Sequence, residues 1–226
     1  MSLKRVCTRG WQKQAVSIAR RAQSIADSPP EPNARALQES NMSDYTLIIL
    51  AGGQGQRMGG ADKGLVEVDG KPLVAHLLDN LLPRPTRIVI SANRNADRYQ
   101  AWADQVVADR RDGFVGPLAG LEAALGEAQG LCLCLPCDLL TLPTAMTEDL
   151  LAAASMEHVC VAHDPLRRQP LCMAFHAEPW RDSLRDYLDA GKRSAHGWLD
   201  QVCVQPVAVT TPLQNLNHSE RLARGT

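Results

Sequence analysis

Two apolar runs constrain this chain most. Leu131-Cys132-Leu133-Cys134-Leu135 and Tyr45-Thr46-Leu47-Ile48-Ile49-Leu50 show no alternation of apolar and polar residues. A strand with one wet face alternates, whereas an unbroken apolar run is covered on both faces. Helices on both sides of a mostly parallel sheet supply that cover. Between the two runs, and after them, strand and helix patterns alternate. Strands are expected at Leu65–Val68, Arg87–Ser91, Gln105–Ala108, 158–162, 170–175 and 202–209. Pro72 suits the first position of a helix with Leu73, Val74, Leu77, Leu78 and Leu81 as its apolar stripe, and Asp69-Gly70 marks a turn before it. Further helices are expected around Tyr99 and Trp102, from Pro117 through Leu125, and from about Glu178 to a stop at Gly191. The fold class is α/β: a doubly wound, mostly parallel open sheet with helices on both faces.

The stretch after the first strand, Leu50 to Gly64, holds five glycines between Gly52 and Gly60, then Gly64. Arg57 and Lys63 are its cations, with Asp62 beside Lys63. Glycine lets main chain approach a ligand closely. A strand feeding a glycine-rich turn with fixed positive charge can hold a polyphosphate, because N–H groups line its oxygens and cations neutralise them. The dinucleotide fingerprint fails, since Met58 occupies its third glycine position and Asp69 lies in a turn rather than at a strand end. The P-loop fails too, since Asp62 precedes Lys63 and Gly64 follows it.

The bulk properties narrow the class. At 226 residues the chain holds one large α/β domain or two small ones, and 45% apolar content supports a core. A net charge of −1 gives no support for a nucleic-acid surface. No apolar run reaches the eighteen residues of a membrane-spanning helix. Seven cysteines, an odd count, without a secretory hydrophobic segment point to a reducing cytosol. Cys134-Leu135-Pro136-Cys137 has redox spacing, but Cys134 sits inside an apolar strand and reads as a buried small residue. One C-x-x-C without a second pair, and six scattered histidines, give no zinc site.

Residues 1–43 differ from the rest. Lys4, Arg5, Arg9, Lys13, Arg20 and Arg21 all precede the first acid, Asp27. Trp11, Ala15, Ile18, Ala22 and Ile25 recur at helical spacing until Ser28-Pro29-Pro30 breaks the pattern. A transit-like leader has this character. The blander reading is an extension, native or not, ahead of a single domain over residues 44–226.

Ligands of open α/β sheets bind beyond the carboxyl ends of the strands. That rule gathers four dispersed segments: the glycine-rich loop, Ser91-Ala92-Asn93-Arg94, Asp109 with Gly116-Pro117-Leu118-Ala119-Gly120, and Pro136-Cys137-Asp138. The loop pattern L-A-G-G-x-G-x-R-M-G-x-x-K resembles the nucleotidyltransferase signature. With Asp69-Gly70-Lys71-Pro72-Leu73 and the other three segments, residues 45–226 closely resemble the molybdenum cofactor guanylyltransferases. Gln169-Pro170, Tyr187 to Arg193 and Asn215-Leu216-Asn217 are weaker echoes.

The resemblance implies a Rossmann-like nucleotidyltransferase fold and transfer of GMP from GTP to molybdopterin, with release of pyrophosphate. It places GTP on Leu50, Ala51, Gly52, Gly53, Lys63, Ser91, Asn93, Asp109, Gly120 and Asp138. It places Mg2+ on Asp138, the catalytic roles on Arg57, Lys63 and Asp138, and pterin contacts on Asn215 and Asn217. Arg57 and Lys63 would face the triphosphate and leaving pyrophosphate, and Asp109 the guanine N–H groups or ribose. Molybdopterin-delivery proteins and molybdoenzymes are the implied partners, in the cytoplasm. Two positions depart from the family pattern. Ser91 stands where asparagine is frequent, so a base contact is lost, carried by water or taken by Asn93. His218-Ser219-Glu220 stands where Thr-Pro-Glu is usual. The alternatives are a cytidylyl or sugar-phosphate nucleotidyltransferase, a non-catalytic nucleotide-binding handover protein, and a thiol redox protein.

Overall fold

The computed structural model describes residues 44–52, 62–113 and 116–215. The N-terminal extension, Gly53, Arg57 and Asn217 lie outside the described residues. The chain enters through β1, Thr46–Leu50, buried along its whole length. A 3-10 turn at Lys63–Leu65 follows, then a ribbon of β2, Glu67–Val68, and β3, Lys71–Pro72. Helix α1, Leu73–Asp79, leads into β4, Arg87–Ser91. Helix α2, Ala96–Tyr99, continues as a 3-10 turn at Gln100–Trp102 into β5, Gln105–Val107. Helix α3, Pro117–Leu125, precedes β6, Leu131–Pro136. Then come α4, Thr144–Ala153, β7, Val159–His163, and β8, Arg168–His176. Helices α5, Ala177–Asp189, and α6, Ala195–Leu199, precede β9, Val204–Ala208.

Seven strands form one sheet in the order β5-β4-β1-β6-β8-β7-β9. All neighbours are parallel except β8, which runs antiparallel to both β6 and β7. Successive side chains of a strand face opposite layers, and the two apolar runs divide accordingly. Leu47, Ile49, Leu133 and Leu135 pack with Val74 and Leu77 of α1 and Met146 and Leu150 of α4. Ile48, Leu50, Cys132 and Cys134 pack on the other side with Leu118 and Leu121 of α3 and Trp180 and Leu184 of α5. The expected doubly wound, mostly parallel sheet with helices on both faces is the observed fold.

The expected strand Leu65–Val68 is corrected. Leu65 closes the 3-10 turn, and Glu67–Val68 pairs with Lys71–Pro72 outside the main sheet. Asp69 and Gly70 both have positive φ, at 51° and 76°. That conformation makes a tight two-residue hairpin, so the strand pairs with the residues right after it. Pro72 remains extended in β3, and the helix opens one residue later. Helices α4 and α6 lack the strong apolar stripe of α1 and were not expected from the sequence.

Candidate active site

Register builds the site. Leu50 lies between Ser91 on one side and Pro136 on the other, and Ser91 lies beside Val107. Four parallel strands therefore end in one row. The bonding continues past it: the N–H of Ala51 donates to the Ser91 carbonyl, that of Ala92 to Val107 and that of Cys137 to Leu50. The order of the strands reverses at β1 and β6, where chains of this architecture open a crevice. A cleft of about 580 Å³ lies there.

Leu50, Ala51, Gly52, Lys63, Ser91, Asp109, Gly120, Asp138 and Asn215 all line this cleft. Lys63 Nζ donates to Asp138 Oδ2 at 2.9 Å, although the two residues are 75 positions apart. Their side chains are 35% and 14% exposed, so a ligand can reach both. Asn93 stands behind two residues of this cleft. Its Nδ2 donates to Asp109 Oδ2 at 2.9 Å and to the Gly52 carbonyl at 3.4 Å, and its Oδ1 accepts from the Asp109 N–H at 2.8 Å. Asn93 thus clamps two loops, and its polar atoms are already engaged.

Asp109, Ser91 and Gly120 form a second corner. Burial raises the Asp109 carboxyl above its ordinary value; the Asn93 hydrogen bond opposes this and the nearby Glu122 adds to it. Ser91 is 1% exposed, and its hydroxyl has no partner among the described residues. A Cβ on Gly120 would overlap Ser91 Oγ and touch Asp109 Oδ1. Glycine is therefore what lets the first turn of α3 approach these residues. Gly116, at φ 95°, turns the chain into Pro117, so the N-terminal end of α3 borders the cleft.

The opposite wall holds residues that the sequence did not single out: Arg167, Arg168, Leu171, Cys172 and His196. His196 joins from α6, and Arg167, Arg168, Leu171 and Cys172 reach the site because β8 is antiparallel. Its pairing of Met173 with Cys134 sends its first residues toward the carboxyl edge of β6. Only the Gln169-Pro170 echo hinted at this wall. Arg168 donates to Asp200 Oδ1 at 2.9 Å and to His196 Nδ1. Asp164, 3% exposed, accepts from Gln169 Nε2 and from the N–H groups of Leu166, Arg167 and Leu213. This ties the β7–β8 turn to the segment carrying Asn215. Burial alone would raise the Asp164 carboxyl, but the four donors hold it at about 2. Asn215 bridges to Leu139, and its Oδ1 is buried without a partner among the described residues.

The five buried thiols are structural. Cys132, Cys134, Cys137, Cys160 and Cys172 are free and buried. Burial pushes Cys132, Cys160 and Cys172 up to about 12 and Cys134 well above its ordinary value. Such thiols stay protonated and make poor nucleophiles. Among the described residues no group of three or more His, Cys, Asp or Glu side chains could cage a metal. A single carboxylate at a strand end suits magnesium, which takes one or two carboxylates and draws its other ligands from water and substrate phosphates.

A parallel-sheet edge that joins the backbone at Gly52, a lysine and the Asp138 carboxylate in one cleft is the site of a nucleotidyltransferase. Residues 47–207 match the MobA-like NTP transferase domain family. The molybdenum cofactor guanylyltransferase of Shewanella sediminis is 39% identical over 190 residues, covering 78% of this chain and 96% of the relative. That of Shewanella amazonensis is 44% identical over 154 residues, covering 67% and 78%. The chain belongs to the molybdenum cofactor guanylyltransferase family. Among solved structures, molybdopterin-guanine dinucleotide biosynthesis protein A from Archaeoglobus fulgidus shares the fold at TM-score 0.58 and 23% identity, over 73% of this chain and 83% of that one. No helix of the described residues is long and apolar enough to cross a membrane.

Proposed function

We propose that this protein transfers GMP from GTP to molybdopterin, forming molybdopterin guanine dinucleotide and pyrophosphate. A terminal phosphate oxygen of the pterin attacks the α-phosphorus in line, and the α–β bridging oxygen leaves with pyrophosphate. The attacking oxygen is already ionised, so no side-chain base is needed. Both reactants are polyanions, and the protein's work is positioning and neutralisation.

The observation that carries this proposal is the Lys63–Asp138 pair, 2.9 Å apart inside the cleft. Lys63 neutralises the β- and γ-phosphates and the leaving pyrophosphate, a task shared with Arg57. Asp138 would hold magnesium, whose chemistry is to offset charge on the triphosphate oxygens. Backbone at Leu50, Ala51, Gly52 and Gly53 carries the nucleotide along the end of β1. Asp109 accepts from guanine N–H groups or ribose, held by Asn93; Ser91 supplies a hydroxyl without a partner among the described residues; and Gly120 keeps that corner open. Asn215 and Asn217 face the pterin. Cysteines that are free rather than in disulfides support a cytosolic setting.

The test is pyrophosphate release from the full chain with molybdopterin and Mg2+, supplied with GTP, CTP or UTP. Release that requires both GTP and molybdopterin is expected. Preference for CTP would establish the cytidylyl alternative. Tight GTP binding without pyrophosphate release would make the chain a handover protein.

A further inference from the structure

Asp62 immediately precedes Lys63, yet its carboxylate does not pair with that ammonium. The Tyr99 hydroxyl donates to Asp62 Oδ1 at 2.5 Å, and Asn95 Nδ2 donates to Asp62 Oδ2 at 3.0 Å. The Asp62 carbonyl accepts from the Leu65 N–H at 3.2 Å, closing the short turn that carries Lys63. Tyr99 is fully buried in the layer that holds Leu65 and Val74. Its ring lies so close to Gly64 that a Cβ there would overlap the hydroxyl. Burial first, then the Asp62 hydrogen bond, keeps this phenol protonated and able to donate. The other fully buried tyrosine behaves differently. Tyr45 donates to the Pro83 carbonyl at 2.6 Å, the ordinary partner of a core phenol. Tyr99 instead spends its proton on a carboxylate one residue from the cleft lysine.

Lysine has a flexible four-carbon stem and is poorly aimed by itself. Fixing the backbone beside it narrows where the ammonium can go. With both oxygens of Asp62 taken, Lys63 is left to Asp138 and to the ligand.

We propose that Asp62, latched by Tyr99 and Asn95, is a positioning residue that aims the Lys63 ammonium at the leaving pyrophosphate of the bound nucleoside triphosphate. This rests on the guanylyl-transfer proposal above. The latch touches neither the nucleobase nor the α-phosphate. Its loss acts on GTP and spares GMP.

The experiment is calorimetric titration of the full chain with Mg2+-GTP and with GMP, for wild type, Tyr99→Phe and Asn95→Gly. Asn95→Gly keeps the left-handed backbone of that position, φ 52°, while removing the donor. It serves as the second probe if Tyr99→Phe fails to fold. Each variant should weaken GTP about tenfold, the scale of one charge-assisted hydrogen bond. GMP affinity should stay within about twofold, the context scatter of one contact. In a Lys63→Gln background, Tyr99→Phe should have no further effect on GTP. Equal weakening of GTP and GMP, an undiminished effect in Lys63→Gln, or no effect at all overturns the latch alone. A wild type that fails to bind Mg2+-GTP overturns guanylyl transfer, and the latch with it.

Discussion

Lys63 and Asp138 meet because the turn that carries Lys63 comes to the sheet edge where β6 has just ended. Lys63 rides on a turn beyond β1, and Asp138 follows β6, the parallel neighbour of β1. Partly exposed ion pairs contribute little to stability, so this pair matters for the charge it presents. Lys63→Gln or Asp138→Asn should lower nucleotidyl transfer by roughly 10²–10³, the cost of one preorganised charge stabiliser. Urea midpoints should barely move. Single-turnover pyrophosphate release beside chemical denaturation separates the two effects, and near-normal turnover in either variant removes the assigned role. Both residues were legible in the sequence from their local motifs. The engagement of Asn93 was not. Its motif set it among the nucleotide contacts, and the structure adds that its side chain clamps Asp109 and Gly52. A residue list cannot say which amide will be used up in holding loops together.

At the scale of elements, the unbroken apolar runs announced β1 and β6, because a strand covered on both sides cannot afford a polar alternate. Cys134 is part of that cover, fully buried against Met173 and Phe175 of β8. Cys134→Ser swaps a soft apolar sulfur for a hydroxyl in a site with little to bond to. It should cost about 1–3 kcal/mol in urea unfolding, the price of a buried unpaired hydroxyl. Transfer activity per folded molecule should be unchanged. Loss of activity with folding retained would revive a thiol role. The elements that were misread are those decided by neighbours. Asp69-Gly70 was legible as a turn, but only its two positive φ angles made β2 and β3 a private ribbon. Helix α6 is one short turn whose Trp198 and Leu199 find cover only once α5 has packed.

For the molecule as a whole, Asp164 connects parts that are distant in sequence. It holds the β7–β8 turn to the segment at Leu213, which leads to Asn215 in the cleft. Its carboxyl stands at about 2 in the folded chain against an ordinary 3.8. The folded value is the lower one, so the stabilisation is fully present above pH 4 or so and fades as pH falls through 2. The linkage amounts to about 2 kcal/mol. Asp164→Asn should therefore lose about 2–3 kcal/mol at neutral pH. The gap from wild type should close as urea titrations are repeated down to pH 2. A constant gap across that range would mean the charge is irrelevant.

The sequence by itself determined the layering, the parallel core strands, the strand-end motifs and the family, because these follow from side-chain periodicity and from short segments whose chemistry is local. Only the tertiary structure decided the antiparallel course of β8, the arginine wall it brings to the cleft with His196 of α6 beside it, and the Asp62–Tyr99–Asn95 and Asp164 ties. Each of these depends on which strand edges pair and on which buried polar groups meet. Distant segments acquire such partners only after the sheet has set their register.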